Sequence, residues 1–473
     1  MHIFSFLCIF LNRKSAKGII QPPKGPRLAQ EAEQRCYACI DLKTFYASVE
    51  CAERGLDPFT TNLVVADPDR SETTICLAIS PAMKALGIRN RCRLYEIPEG
   101  IDYIIAKPHM RRYMEKSAEI YAIYLRYLSA CDIHVYSIDE CFMDFTAYLE
   151  LYACTARQLA NRLMDTVWKE TGIRATAGIG TNLFLAKVAL DITAKHSPDN
   201  IGYLDQDGFI ETLWTHRPIT DIWNVGPGIA NRLARFHVFD LKGVASMDPD
   251  VLYQEFGVNA EFLIDHAWGW EPCTIAQIQA YESESHSLGN SQVLACNYSF
   301  EEARMVLHEM IDASVLELVE KRLATNHISL SVGYTWEQGA ADLEERQTVF
   351  VGEHGKRRKR SPNTSSSASR KLSGYTNSLN ELQLQLDSLY ESIADREKPV
   401  RRLGIAFGNL IDEDFVTYDL FSDQEALSKE RSRQEAILSI KQKFGKNSLI
   451  KGTSLKDKAT GIERNKLIGG HNG

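Results

Sequence analysis

Between residues 36 and 195, apolar runs of four to six residues alternate with longer segments whose apolar side chains recur every three or four positions. That alternation confines this part of the chain to a sheet with helices laid on it. The runs 36–41, 63–66, 133–136, 141–145 and 175–179 predict strands, and the segments 44–54, 82–86, 111–130, 159–170 and 182–195 predict helices. The clearest stripe is in 111–130, through Tyr113, Ile120, Tyr121, Tyr124, Leu125 and Leu128. Asp41 then falls at a strand end, and Ser137 to Glu140 form the bend of a hairpin carrying two carboxylates, Asp139 and Glu140.

After residue 207 the pattern changes to short helices, one of them, 229–236, opened by Gly226, Pro227 and Gly228. Residues 281–289 are polar without a core pattern and read as a tether. Beyond them a second mixed region predicts strands near 291–294, 328–332 and 400–407, with helices over 300–323 and 379–393. Inside it, the basic run 355–360 and the serine-rich 361–369 predict a disordered insertion. Pro22, Pro23 and Pro26 break any period in residues 1–35, which read as a mobile extension. No internal repeat is present.

At roughly 150 residues per domain, 473 residues suffice for about three. With 44% hydrophobic and 25% charged residues the chain has the balance of a soluble globular protein. Residues 1–11 are apolar but too few to span a membrane, and no basic residue precedes them as in a secretory leader, so a cytoplasmic protein is expected. Eleven cysteines scattered through a long chain do not form a disulfide framework, and Cys36 with Cys39 makes a single CxxC lacking the second pair that a zinc site needs. The net charge of −8 argues mildly against nucleic acid. It is concentrated, however: residues 207–284 hold twelve acidic residues against Arg217, Arg232, Arg235 and Lys242. The remainder is near neutral and can carry local basic faces.

Asp41, Asp139 and Glu140 are far apart in sequence, yet a small antiparallel sheet can bring them together. Three carboxylates so placed repel one another unless divalent cations lie between them. Two Mg²⁺ ions there suit an in-line phosphoryl transfer, activating a hydroxyl and steadying a leaving pyrophosphate. An adjacent Asp-Glu pair alone is weak evidence, since two solvated carboxylates in a turn are commonplace.

The neighbourhood of these residues resembles the Y-family DNA polymerases, the translesion enzymes that include UmuC and DinB. Residues 40–50, IDLKTFYASVE, are similar to the family's first catalytic motif, and residues 136–144, YSIDECFMD, to its second. Residues 177–182, AGIGTN, with Leu185, Ala186, Lys187 and Asp191, resemble the third. Residues 223–233, WNVGPGIANRL, resemble the helix-hairpin-helix of the thumb. These stand in family order over roughly residues 36–421, and the segments 78–88 and 459–471 resemble the UmuC-like branch.

The resemblance implies an α+β right-hand polymerase with a ferredoxin-like palm (36–44 and 103–205), small fingers (45–102) and a helical helix-hairpin-helix thumb (206–275). A tether (276–288), an α/β little finger (289–412, with a disordered basic insertion over 353–376) and a C-terminal tail (413–473) follow. It implies catalytic, metal-binding carboxylates at Asp41, Asp139 and Glu140, with the Leu42 carbonyl as a further ligand of two Mg²⁺ ions. The amides of Lys43, Thr44 and Phe45 cradle the triphosphate at a helix start, and Tyr46 is the steric gate that excludes a 2′ hydroxyl. Many relatives have Tyr and Arg three apart in the fingers, whereas this chain has Pro81 and Lys84, leaving Lys84 as the cation there. Lys195 is the matching cation of the third motif, eight residues after Lys187 where seven is usual. Gly226, Gly228 and Ile229 present backbone amides to DNA phosphate. Leu420 and Phe421 match a motif that binds the sliding clamp, with Thr417 in place of its leading glutamine.

The implied activity is template-directed addition of deoxynucleotides to a primer on primer-template DNA. Lesion bypass, low fidelity and no proofreading come with it, and a monomer with no membrane attachment is expected. Two rival readings remain at this stage: a palm-type nucleotide cyclase, which needs no DNA-holding thumb, and a catalytically idle DNA-binding regulatory relative. All depend on Asp41 facing the Asp139-Glu140 bend.

Overall fold

β1 (Tyr37–Leu42) sits at the centre of the first sheet, and its alternating side chains feed two different cores. The computed structural model describes residues 35–69, 74–282, 287–335, 348–349, 357–358, 365–417 and 423–472. These fall into two units, one ending at Glu282 and the other running from residue 287 to 470. Leu420 and Phe421, and the extension 1–34, lie outside the described residues.

In the first unit, β1 turns through Lys43 and Thr44 into α1 (Phe45–Glu53). Next come β2 (Leu63–Val65), β3 (Ala78–Ile79), α2 (Pro81–Ala85) and β4 (Ile104–Ala106), in which β2 pairs antiparallel with β3 and parallel with β4. The domain boundary expected at residue 102 falls inside this small sheet, because Ile104 to Ala106 bond to β2. α3 (Met110–Tyr124) stops six residues short of the predicted end, where residues 125–128 turn back and bury Leu128.

β5 (Ile133–Val135) and β6 (Glu140–Asp144) form the hairpin, followed by α4 (Thr146–Leu151) and by α5 (Ala156–Thr171), which opens on a Thr155/Gln158 capping box. β7 (Ala175–Gly180), α6 (Leu183–Asp191) and β8 (Ile201–Leu204) complete a five-stranded sheet in the order β5-β6-β1-β7-β8. Ala38, Ile40 and Leu42 join Cys141, Met143, Ala177 and Ile179 in one core with α1, α3 and α5. Tyr37, Cys39 and Phe142 face the other way, toward α6. α6 lies so close to β7 that a Cβ on Gly178 would come within 2.1 Å of the Ala186 carbonyl oxygen.

The helical part packs on that second core: α7 (Gln206–Leu213), α8 (Pro227–Ala234), α9 (Leu241–Ala245), α10 (Pro249–Phe256), α11 (Ala260–Ala267) and α12 (Ile275–Gln279). Residues 276–279, expected as the start of a tether, are instead helical and packed. Ile275 and Ile278 of α12 are buried, and Gln279 Nε2 donates to the carbonyls of Ala130 (3.1 Å) and Ile133 (3.0 Å).

The second unit comprises β9 (Leu288–Tyr298), α13 (Phe300–Glu320), β10 (Leu323–Tyr334), a short ribbon of β11 (Thr348–Val349) and β12 (Arg357–Arg358), then β13 (Ser365–Thr376), α14 (Leu379–Ile393), β14 (Val400–Gly408) and β15 (Ile411–Asp412). The main sheet is antiparallel in the order β13-β10-β14-β9. Residues 365–376, expected within a disordered insertion, are therefore a strand. Its register runs from Gly333↔Ser365 to Thr325↔Thr376, so backbone bonds carry it, while Leu372 and Thr376 are buried and the serines alternate outward. Part of the basic run also pairs, as β12.

What was expected to be a tail after residue 413 packs on this unit. α15 (Gln424–Phe444) buries Glu430, which accepts from Ser378 Oγ at 2.8 Å and the Asn380 amide at 3.2 Å. At α16 (Gly461–Arg464), the Thr460 and Gly461 amides donate to Glu309 Oε2 at 2.8 and 3.0 Å.

Candidate active site

Asp41 is paired directly with Glu140 across the β1-β6 ladder, and the Leu42 amide donates to the Asp139 carbonyl at 2.9 Å. Residues opposed in this way point to the same face with Cβ atoms about 5 Å apart. The three carboxylates thus converge at one end of the central strands, with Glu140 on β6 itself and Asp139 in the bend before it. Burial first, then the charges of Asp139 and Glu140, push the Asp41 carboxyl up to about 8. Glu140 is likewise raised by burial, against the pull of Lys187.

Lys187, on α6, lies 2.8 Å from Glu140 Oε1 and 3.1 Å from Asp191 Oδ1. Burial opposes its charge, but Glu140, Cys39 and Asp191 outweigh that and hold the ammonium protonated. The Cys39 thiol donates to the same Glu140 oxygen at 3.0 Å. Ser137 Oγ donates to Asp139 Oδ1 at 2.6 Å. Among the described residues, no three His, Cys, Asp or Glu side chains are placed so that they alone could hold a metal ion. The donor chemistry nonetheless suits magnesium, which binds through one or two hard carboxylates, water and substrate phosphates rather than through an all-protein shell.

Thr44 takes a left-handed conformation (φ 46°) between β1 and α1, a costly one for a β-branched residue, and this starts the helix directly beyond Asp41. Ser48 Oγ donates to the Lys43 carbonyl at 2.6 Å and the Ser48 amide to the Thr44 carbonyl at 3.0 Å, fixing the turn. Phe45 is buried in the core, whereas Tyr46 is half-buried and stacks on Tyr113 with ring centroids 4.5 Å apart and planes 18° apart. The Tyr113 hydroxyl donates to the fully buried Glu50 at 2.6 Å. Burial and then Asp139 raise the Tyr46 hydroxyl pKa, so its ring stands near the acidic end of the sheet.

Lys43 Nζ meets Asn200 Oδ1. Lys84, on α2, is exposed, and its pKa is lowered by burial of part of the ammonium and by Lys195, against the attraction of Asp41. Lys84 and Lys195 therefore stand near one another and near Asp41. Gly226, Gly228 and Ile229 are not part of this group; they open α8 on the helical part, where the Ile229 amide already donates to the Gly226 carbonyl at 3.0 Å. Nothing in the fold demands glycine at 226 or 228, since a Cβ at either would meet no atom within 4 Å. The entry to that turn is tied to the hairpin by Trp223 Nε1, which donates to Tyr136 Oη at 3.2 Å.

Sequence reasoning counted Lys187 and Glu50 within motifs, Tyr113 in a helical stripe and Cys39 in a lone CxxC, but assigned none of them a function at the site. Only Lys187 leaves a readable signal: a cation inside the apolar run 183–190 must meet a buried counter-charge.

Carboxylates at the end of a helix-backed sheet, faced by cations and followed by a glycine-opened helical part, define a polymerase palm and thumb. The signature of the impB/mucB/samB family matches residues 40–191, and that of the family's C-terminal domain matches residues 285–420, together more than half of the chain. UvrX of Bacillus subtilis (strain 168), which carries the name of a UV-damage repair protein, is 28% identical over 92% of this chain and 96% of its own length. DNA polymerase IV 2 of the same organism is 29% identical over 91% of this chain and 97% of its own. Among solved structures, the Y-family DNA polymerase chimera Dbh-Dpo4(243-245)-Dbh shares the fold, with a TM-score of 0.57 at 19% identity over 80% of this chain and 99% of its own. The chain belongs to the impB/mucB/samB family and is a UmuC/DinB-like, Y-family DNA polymerase. Among the described residues no helix is long and apolar enough to cross a membrane.

Proposed function

We propose that this polymerase extends a DNA primer opposite damaged template positions, using Asp41, Asp139 and Glu140 to hold two Mg²⁺ ions, with the Leu42 carbonyl as a further ligand. The observation that carries this reading is the Asp41↔Glu140 pairing, with Asp139 beside it and Asp41 pushed up to about 8 by burial first and then by its two acidic neighbours. When bound, the metals activate the primer hydroxyl and neutralise the leaving pyrophosphate.

The remaining work falls to the chain's own residues. The turn through Thr44 and Phe45 presents amides to the triphosphate, the Lys43 amide expected to join them being already donated to the Arg174 carbonyl at 2.9 Å, and Lys84 and Lys195 add charge to it. Tyr46, braced from behind by Tyr113, blocks the 2′ position of the incoming sugar. The amides at Gly226 and Gly228 hold a DNA phosphate, with Ile229 fixing their turn. Leu420 and Phe421 insert into the sliding clamp, and the enzyme acts as a cytoplasmic monomer of low fidelity. The palm, fingers, thumb and little finger divide as the sequence suggests, with the fingers extended to Ala106 and the tether beginning after α12.

Primer extension on undamaged and lesion-bearing templates tests this. Wild type should extend both, Asp139→Ala with Glu140→Ala should lose activity by at least about 10³-fold, and Tyr46→Ala should admit ribonucleotides. Equal extension by the double variant would refute the metal assignment. Unchanged sugar selectivity would refute the gate.

A further inference from the structure

β7 begins at the same end of the sheet as the carboxylates, because Leu42 is paired with Ala175. The residue just before that strand is Arg174, whose carbonyl accepts from the Lys43 amide at 2.9 Å. Its guanidinium is exposed and sandwiched by aromatics. It lies 4.2 Å from the ring centroid of Trp168, on α5, and 5.4 Å from that of Phe59, on the finger side. Both rings are themselves more than 40% exposed, so the stack is not a core feature.

Arg174 belongs to a group of cations at this end of the sheet. The Lys43 ammonium is depressed by burial, then by Arg174, and also by Lys84, while Asp41 pulls the other way. Lys84 in turn feels Lys195 and Asp41. Among the described residues, none of Arg174, Lys43, Lys84 and Lys195 has a carboxylate within ion-pair distance. Three of the palm's five other arginines do have one: Arg112 pairs with Glu53 and Glu115, Arg126 with Glu170, and Arg157 with Asp199. Four cations gathered at one end of the sheet, none of them in an ion pair, suit a polyanionic ligand.

We propose that Arg174 is a triphosphate-binding residue that grips the outer phosphates of the incoming nucleotide and the departing pyrophosphate. Its position supports that end. Two residues beyond Asp41, the Lys43 amide is held by the Arg174 carbonyl at 2.9 Å, and the Lys43 ammonium feels both Arg174 and Asp41. Its chemistry supports it too, because a planar guanidinium stacked on two rings keeps its donor edge free for bidentate phosphate contact. In the fingers, where many relatives carry an arginine three residues after a tyrosine, this chain has Lys84 three after Pro81. Arg174 returns a guanidinium to the site from the palm side. The assignment rests on the polymerase reading above.

Steady-state extension with Arg174→Gln and Arg174→Lys tests it. Arg174→Gln should raise the KM for dNTP and the inhibition constant of pyrophosphate by about tenfold each, the loss of one charge-assisted contact. Affinity for primer-template should stay within about twofold, and Arg174→Lys should fall between. Unchanged KM and pyrophosphate inhibition in Arg174→Gln would overturn the proposal, as would a loss confined to DNA affinity. Should Arg174→Gln fail to fold, Phe59→Leu, which loosens the stack, must raise the same two constants, and its failure to do so is equally decisive against the assignment. A wild-type protein that extends no primer would refute the polymerase reading instead. Equilibrium dialysis with inorganic tripolyphosphate separates the two: weaker binding by Arg174→Gln would still uphold the anion site, and equal binding would remove it.

Discussion

Asp41 shows how far a single side chain can be read in energetic terms. In the folded chain it keeps its proton up to about pH 8, against an ordinary value of 3.8, because burial and two acidic neighbours disfavour its charge. Between those values the unfolded chain binds fewer protons at this position than the folded one, so this group's contribution to stability falls as pH rises from about 4 to 8. A divalent cation between the carboxylates reverses the balance by favouring the ionised form. In EDTA, melting should therefore decline by several degrees more between pH 6 and 8.5 in wild type than in Asp41→Asn, and Mg²⁺ should stabilise wild type more at pH 8.5 than at pH 6. Parallel melting curves for the two proteins, with and without Mg²⁺, would show that Asp41 does not bear this strain. Lys187 is a second case: with Cys39 it donates to one oxygen of Glu140, so in the metal-free chain that carboxylate is held by protein donors rather than by solvent.

Elements with a clean period were legible in the sequence, and elements held by backbone ladders were not. β1 is an apolar run, and α5 and α14 have sharp caps and stripes, so their places could be read directly. β13 is mostly serine and basic residues; what makes it a strand is the partner β10, which no local pattern announces. The candidate site divides in the same way. Asp41, Asp139, Glu140 and Tyr46 stand in contiguous motifs, whereas Arg174 and Tyr113 matter through contacts across the fold. Glycines also divide by element, and this gives a paired prediction. Gly178→Ala would place a Cβ 2.1 Å from the Ala186 carbonyl oxygen and 2.2 Å from the Leu190 nitrogen, forcing α6 and its Lys187 off the sheet. The cost should be about 3 kcal/mol or more, a fall of roughly 6–12 °C in Tm. Gly228→Ala meets open space and should leave Tm unchanged or slightly higher while weakening DNA binding. Equal thermal losses for the two variants would contradict the close packing of α6 on β7.

At the scale of the whole molecule, the chemistry and the second sheet are segregated. Every carboxylate and cation of the candidate site belongs to the unit that ends at Glu282, which has three cores of its own. The later unit has a single separate core and a sheet covered by α13 and α14 on one face. Its other face follows from the register: Lys371 lies opposite His327, Arg402 opposite Gly333, and Ser331 opposite both Ser367 and Gly404. Small and basic side chains on a sheet face that no helix of the described residues covers suit the DNA backbone, which is bound mainly through charge and close approach rather than base reading. Nucleotide addition should then survive separation of the units while DNA affinity does not. With a protease site placed between residues 282 and 288, the cleaved amino-terminal piece should still incorporate dNTPs at high primer-template concentration. Its apparent affinity for DNA should drop on the order of a hundredfold, because two linked contacts have become one. The dependence of binding on salt should also become shallower as phosphate contacts are lost. Retention of full affinity by that piece, measured by anisotropy of labelled primer-template across a salt series, would show that the later unit contributes nothing to holding DNA.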